Sequence, residues 1–116
     1  MTMTSAAGCS SGDVAAYVRD QWLKTGHDAV LAEDGRSVFI PALRTFELVV
    51  RDEHELRSRT LEVRALIRNS GCPDVHVLMP VGILGRAHEE LYGMPVSLVG
   101  WIEQECVPRF VSPERA

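Results

Sequence analysis

The residues able to support catalysis or metal binding are few and scattered along this chain. Its four histidines, His27, His54, His76 and His88, form no local pair at metal-ligand spacing. His88-Glu89-Glu90 opens like the zinc motif H-E-x-x-H, but Tyr92 stands where the second histidine belongs. Cys9, Cys72 and Cys106 are odd in number and widely spaced, with no C-x-x-C pair. They do not supply the four ligands of a structural zinc and read as cytosolic thiols. No Ser or Cys stands in a recognised nucleophile motif. Gly82-Ile83-Leu84-Gly85 offers backbone N–H groups to an anion where a strand meets a helix. It lacks both the dinucleotide fingerprint and the P-loop lysine, so it reads as a strand-to-helix turn. His76 alternates within an otherwise apolar run and is expected to be a core or interface histidine with a hydrogen-bond partner.

One charged constellation remains. Arg57, Arg64 and Arg68 recur at seven and four residues and fall on one stripe of a central helix. Residues 53–69 carry four Arg against three Glu within an otherwise acidic chain. Such a stripe can track phosphates. It is also what a solvated face with pairs such as Glu53–Arg57 looks like.

Composition bounds what these residues serve. The 116 residues are enough for one domain and one core. A hydrophobic fraction of 46% with 24% charged residues excludes a disordered, collagen-like or disulfide-scaffold chain. Twelve basic against sixteen acidic residues give a net charge of −4, the wrong sign for a dedicated nucleic-acid binder. Lys24 is the only lysine. The longest apolar stretch, Val75 to Leu84, is broken by His76, Pro80 and Gly82 and cannot span a bilayer. The first twelve residues have neither the basic nor the apolar region of a signal peptide. The expectation is a cytoplasmic domain over 13–116 behind a flexible tail over 1–12.

The elements that position these residues follow from period and punctuation. Ser11 or Asp13 caps a helix running to about Thr25, with Val14, Val18 and Trp22 on one face and Gly26 as its left-handed stop. A short strand at Ala29–Ala32 turns through Glu33-Asp34-Gly35-Arg36 into a return strand, Ser37–Ala42, and a third follows at Thr45–Arg51. From Glu53 to about Asn69 the period is helical, with Leu56, Val63, Leu66 and Ile67 buried and Gly71 with Pro73 as the stop. Asp74–Pro80 is nearly all apolar, as in a strand covered on both faces. A helix at about Leu84–Tyr92 and a last strand at Val96–Ile102 complete the order α-β-β-β-α-β-α-β. The remainder, with Pro108 and Pro113, reads as a tail. The first three strands form an antiparallel meander and the last two run parallel, giving an α/β domain on a mixed sheet.

This order resembles the core of the restriction-endonuclease-like superfamily, the PD-(D/E)XK nucleases. YVRDQWLKTGHDAVLAEDGRSVFIPA (17–42) is similar to the family's opening helix and strand pair. DVHVLMPVGILGRAHEE (74–90) resembles its strand–Pro–helix segment. The resemblance covers about residues 14–102. It implies phosphodiester hydrolysis with Mg²⁺ held by carboxylates and a Lys that stabilises developing charge. This chain departs from that pattern. The Pro-Asp pair is Pro41-Ala42, and alanine cannot ligate a metal. In one register the acidic-x-Lys triplet is Glu47-Leu48-Val49; in the other it is Arg51-Asp52-Glu53. Neither contains a lysine. Glu33, Glu47 and Asp52 are the acids the resemblance leaves as candidate catalytic ligands. The bland alternatives are a turn residue for Glu33, a cross-strand partner of Arg44 or Arg51 for Glu47, and a first-turn helix acid for Asp52.

Three functional classes follow. The first is a nuclease-fold protein without nuclease activity, used for binding or assembly and needing no cofactor. The second is a divergent Mg²⁺-dependent DNA nuclease. The third is a structural oligomeric α/β module unrelated to nucleic acid. Apolar residues after Trp101, namely Ile102, Val107, Phe110 and Val111, favour a homodimer that covers them.

Overall fold

A computed structural model describes residues 10–69, 74–104 and 107–116. Helix α1 spans Ser11–Lys24. Ser10 caps it: its side chain accepts from the Asp13 backbone N–H, and the Asp13 carboxylate accepts from the Ser10 N–H. This reciprocal capping box starts the helix earlier than the expected domain boundary at 13, because Ser10 carries the capping hydroxyl. The rest of the expected tail, residues 1–9, lies outside the described residues. So do Cys9, Cys72 and Cys106 and the Gly71–Pro73 stop. The helix stops as expected at Gly26, whose φ of 90° needs no Cβ.

Three short strands follow, β1 (Val30–Leu31), β2 (Ser37–Ile40) and β3 (Thr45–Val49). The return strand ends before Pro41 because Pro41–Leu43 forms a single 3₁₀ turn into β3. The central helix is two helices, α2 (Glu53–Ser58) and α3 (Thr60–Asn69), broken at Arg59. Then come β4 (Asp74–Pro80), α4 (Leu84–Glu90) and β5 (Ser97–Gln104).

The expected tail is two further strands, β6 (Val107–Phe110) and β7 (Glu114–Arg115). Both run antiparallel along the outer edge of β5. The prolines that disguised them are compatible with an edge. Val111 N–H donates to Gly100 O, so by the antiparallel alternation Pro108, opposite Glu103, sits where no ladder N–H is required.

The strands form one mixed sheet in the order β1-β2-β3-β4-β5-β6, with β7 also on β5. Strands β1 to β3 are an antiparallel meander, and β3, β4 and β5 are mutually parallel. This is the mixed α/β domain expected, with β4 in the interior. Alternation on the strands makes two cores. On one face Leu48, Val77, Met79 and Leu98 pack with Leu56 and Val63 of α2 and α3 and Leu91 beyond α4. On the other, Val38, Ile40, Val49, Leu78 and Trp101 pack with Val14 and Val18 of α1. No helix among the described residues is long and apolar enough to cross a membrane.

Candidate functional site: the groove beside Glu47 and His76

Strand alternation puts Glu47 on the α1 face, between Thr45 and Val49. Its register partner on β4 is His76. The four-residue stripe of α1 ends at Trp22, which lies above this pair. The Trp22 indole N–H donates to Glu47 Oε1 at 2.8 Å, and His76 Nδ1 lies 3.0 Å from Oε2. An ionised carboxylate only accepts, so the shared proton belongs on Nδ1. The Glu47 side chain is 9% exposed and that of His76 27%. Burying a carboxylate without partners is costly. Here each oxygen has its own N–H donor.

The pair forms one wall of a groove of about 540 Å³ between α1 and the β5–β6 edge. Val18, Leu78 and Val99 line it, with the aromatic rings of Tyr17, Trp22 and Phe110. Trp22 is held further by His27, edge-on at 5.3 Å between ring centroids, and Phe110 packs edge-on against buried Trp101 at 6.1 Å. The groove is therefore mostly apolar, with the Glu47–His76 pair on the sheet side and Gln21 and Thr25 on the α1 side, the general form of a small-molecule site.

The three candidate acids occupy three different settings. Glu47 is the groove residue just described; its partners are Trp22 and His76. Asp52 is the N-cap of α2, accepting from the Glu55 N–H at 2.9 Å. Glu33 is exposed in the β1–β2 turn. About 10 Å of strand separates Glu47 from Val50 alone, before the chain reaches Asp52. No group of three His, Cys, Asp or Glu side chains placed to hold a metal occurs among the described residues. These acids do not fit the Mg²⁺ site the resemblance implies, because Mg²⁺ needs converging oxygens and both Glu47 oxygens meet N–H donors.

The arginine stripe divides. Arg57 is paired with Glu53 at 3.5 Å and Glu90 at 3.8 Å, as on a solvated face. Arg64 and Arg68 instead border a shallow hollow of about 450 Å³ with Tyr92, which is 85% exposed.

A fourth arginine, missed at the level of motifs, is structurally the most engaged. Arg59 is 3% exposed. Its guanidinium donates to the carbonyls of Arg36 and Val49, to Asp34 and Glu62, and to the Ser37 hydroxyl. It ties the α2–α3 junction to the β1–β2 turn. Asp34, beside the candidate Glu33, is the acid of that turn that faces inward. The spacing Leu56–Arg59–Val63 was the available signal, since it places an arginine on the buried stripe.

No protein-family model, curated protein or solved structure matches this chain.

Proposed function

We propose that this chain is a binding or assembly module built on a restriction-endonuclease-like framework, without phosphodiesterase activity. Its element order supports the framework: a helix, an antiparallel meander, then parallel strands reached through helices. The observation that carries the functional half is the engagement of Glu47. The one acid of the third strand spends both oxygens on Trp22 and His76, inside an apolar groove. A carboxylate so placed fixes side chains; a hydrolytic site would leave it open to a metal-bound water. Ala42, in the Pro-Asp position, lies exposed in the turn after β2. The test is incubation with plasmid, branched and single-stranded DNA in Mg²⁺ or Mn²⁺. All three substrates are expected to remain intact. Cleavage abolished by Glu47→Ala or Glu33→Ala would overturn the proposal in favour of a divergent nuclease.

Assembly is supported by a separate feature. Ile102 and Val107 are 49% and 44% exposed and share one face of the β5–β6 ladder. A homodimer covering this face would be two-fold and built from side chains, because Pro108 removes an outward N–H from the β6 edge. Light scattering at high micromolar concentration tests it, with Ile102→Glu expected to return a monomer. A wild-type monomer would sink this part of the reading.

A further inference from the structure

The geometry of the groove points to a ligand class: we propose that it binds a small uncharged aromatic alcohol, whose hydroxyl donates to Nε2 of His76. This rests on the binding-module reading above and specifies what that module takes.

Glu47 Oε2 holds Nδ1, which fixes the tautomer and leaves the neutral ring with a lone pair on Nε2. Nε2 has no partner among the described residues, and His76 lines the groove. The His76 side chain is 27% exposed, so a ligand that covers Nε2 displaces its hydration, and one that donates there is favoured over one that does not.

Charge narrows the class. Among the described residues no Arg or Lys lines the groove, so a carboxylate or phosphate ligand meets no fixed positive charge there. A ligand cation finds little better. Among the described residues Glu47 is the only acid in the lining, its side chain is 9% exposed, and both oxygens are in use. The remaining candidate is neutral, with a donor for Nε2.

Shape supplies the rest. A volume of about 540 Å³ lies within the range of small-molecule sites. Trp22 and Phe110 offer ring faces and edges to a planar apolar body. Trp22 is already immobilised by its bond to Glu47, so part of the ordering cost of binding is met before the ligand arrives.

The experiment titrates the full chain with three probes: 2-naphthol, its methyl ether 2-methoxynaphthalene, and 2-naphthoate. Amide chemical shifts give affinity and location, and imidazole ¹⁵N shifts report the hydrogen bond to Nε2 directly. Naphthol is expected to perturb amides of α1, β3 and β4 and to bind roughly three- to ten-fold more tightly than the ether. It should also shift Nε2, which the ether should not. Naphthoate should bind more weakly than naphthol. His76→Phe, with fold verified by circular dichroism, should remove the preference for naphthol over the ether; the ¹⁵N measurement on the wild type stands even where that variant fails to fold. Equal affinities for naphthol and ether, an unmoved Nε2 signal, or no saturable binding at the groove would overturn the proposal. DNA cleavage would overturn the non-hydrolytic reading, and it leaves the naphthol comparison unaffected.

Discussion

Glu47 and His76 are paired twice, once as register neighbours on parallel strands and once through their side chains at 3.0 Å. The backbone ladder sets the spacing, so the side-chain contact needs only compatible rotamers and little ordering of its own. Trp22 adds the third partner from α1, linking the helix to the middle of the sheet. The groove beside them thus has the Glu47–His76 pair on two paired interior strands, where a site gains from preorganisation.

The buried arginine gives the largest stability effect we expect. Arg59→Met removes the guanidinium's bonds to the carbonyls of Arg36 and Val49 and to the Ser37 hydroxyl, although the Arg36 carbonyl keeps the Val49 N–H. Asp34 and Glu62 are 31% and 46% exposed at the side chain and can rehydrate. The Val49 carbonyl and the Ser37 hydroxyl, both buried with the strands, cannot do so as easily. A loss of about 2–4 kcal/mol is expected in urea denaturation. Arg59→Lys should recover little of it, since an ammonium lacks the planar fork that reaches both sides of the junction. Full recovery by Lys would reduce the role of Arg59 to simple charge.

The elements were legible where a period ran uninterrupted. Val14, Val18 and Trp22, the apolar run of β4 and the Gly26 stop all appear where pattern places them. Two features escaped for physical reasons. The segment 107–115 lacks a clean alternation because an edge strand meets the sheet on one side only and tolerates proline. Arg59 interrupts the helix at a position where the apolar stripe demands burial, and a charge there reads as surface unless its partners are known. The candidate site was half legible. Glu47 and His76 each carried a signal, an acid in a strand and a histidine in an apolar run. Their pairing depends on the parallel register of β3 with β4, which no local pattern encodes. Trp22, counted as a core residue, acquires its polar role only once α1 is docked over β3.

Gly100 controls the approach of α4 to the sheet. A Cβ there would lie 2.8 Å from Leu84 Cδ1 and 2.9 Å from Val81 Cγ1. Gly100→Ala gains some stability by restricting the unfolded chain, but overpacking should dominate, for a net loss of about 1–2 kcal/mol. Because the closest atom is the end of a leucine, Leu84→Ala should relieve part of the clash. The double variant is then less destabilised than the sum of the two singles. Simple additivity in chemical denaturation would mean that α4 shifts as a body instead.

Asp52 has a structural duty that a melting experiment can separate from metal binding. It accepts from the Glu55 N–H, while Glu55 Oε1 accepts from the Arg51 N–H at 2.7 Å, closing the start of α2. Asp52→Ala should cost about 1 kcal/mol, and Asp52→Asn only part of that, since Asn also caps. Millimolar Mg²⁺ should leave the melting temperature of wild type unchanged. A rise that disappears in Asp52→Ala would assign Asp52 to a metal, because a ligand that binds only the native state stabilises it by mass action.

The last prediction isolates the pair at the centre of the groove. Glu47→Gln keeps the shape and removes the charge; its oxygen can still accept from Trp22, and its amide can donate to Nδ1 once the imidazole moves its proton to Nε2. His76→Phe keeps a ring but leaves Glu47 Oε2 without its donor beside an apolar wall. His76→Phe should destabilise by about 1–3 kcal/mol, the cost of a buried polar group losing its partner, and Glu47→Gln by less, the difference between charge-assisted and neutral hydrogen bonds. The double variant does better than the sum. There the neutral glutamine keeps its oxygen on the Trp22 N–H, and the phenyl ring strands no charge. A coupling of about 0.5–2 kcal/mol is expected in a double-mutant cycle. Additivity within about 0.5 kcal/mol would mean that the 3.0 Å contact carries no stabilisation of its own, leaving Trp22 as the effective partner of Glu47.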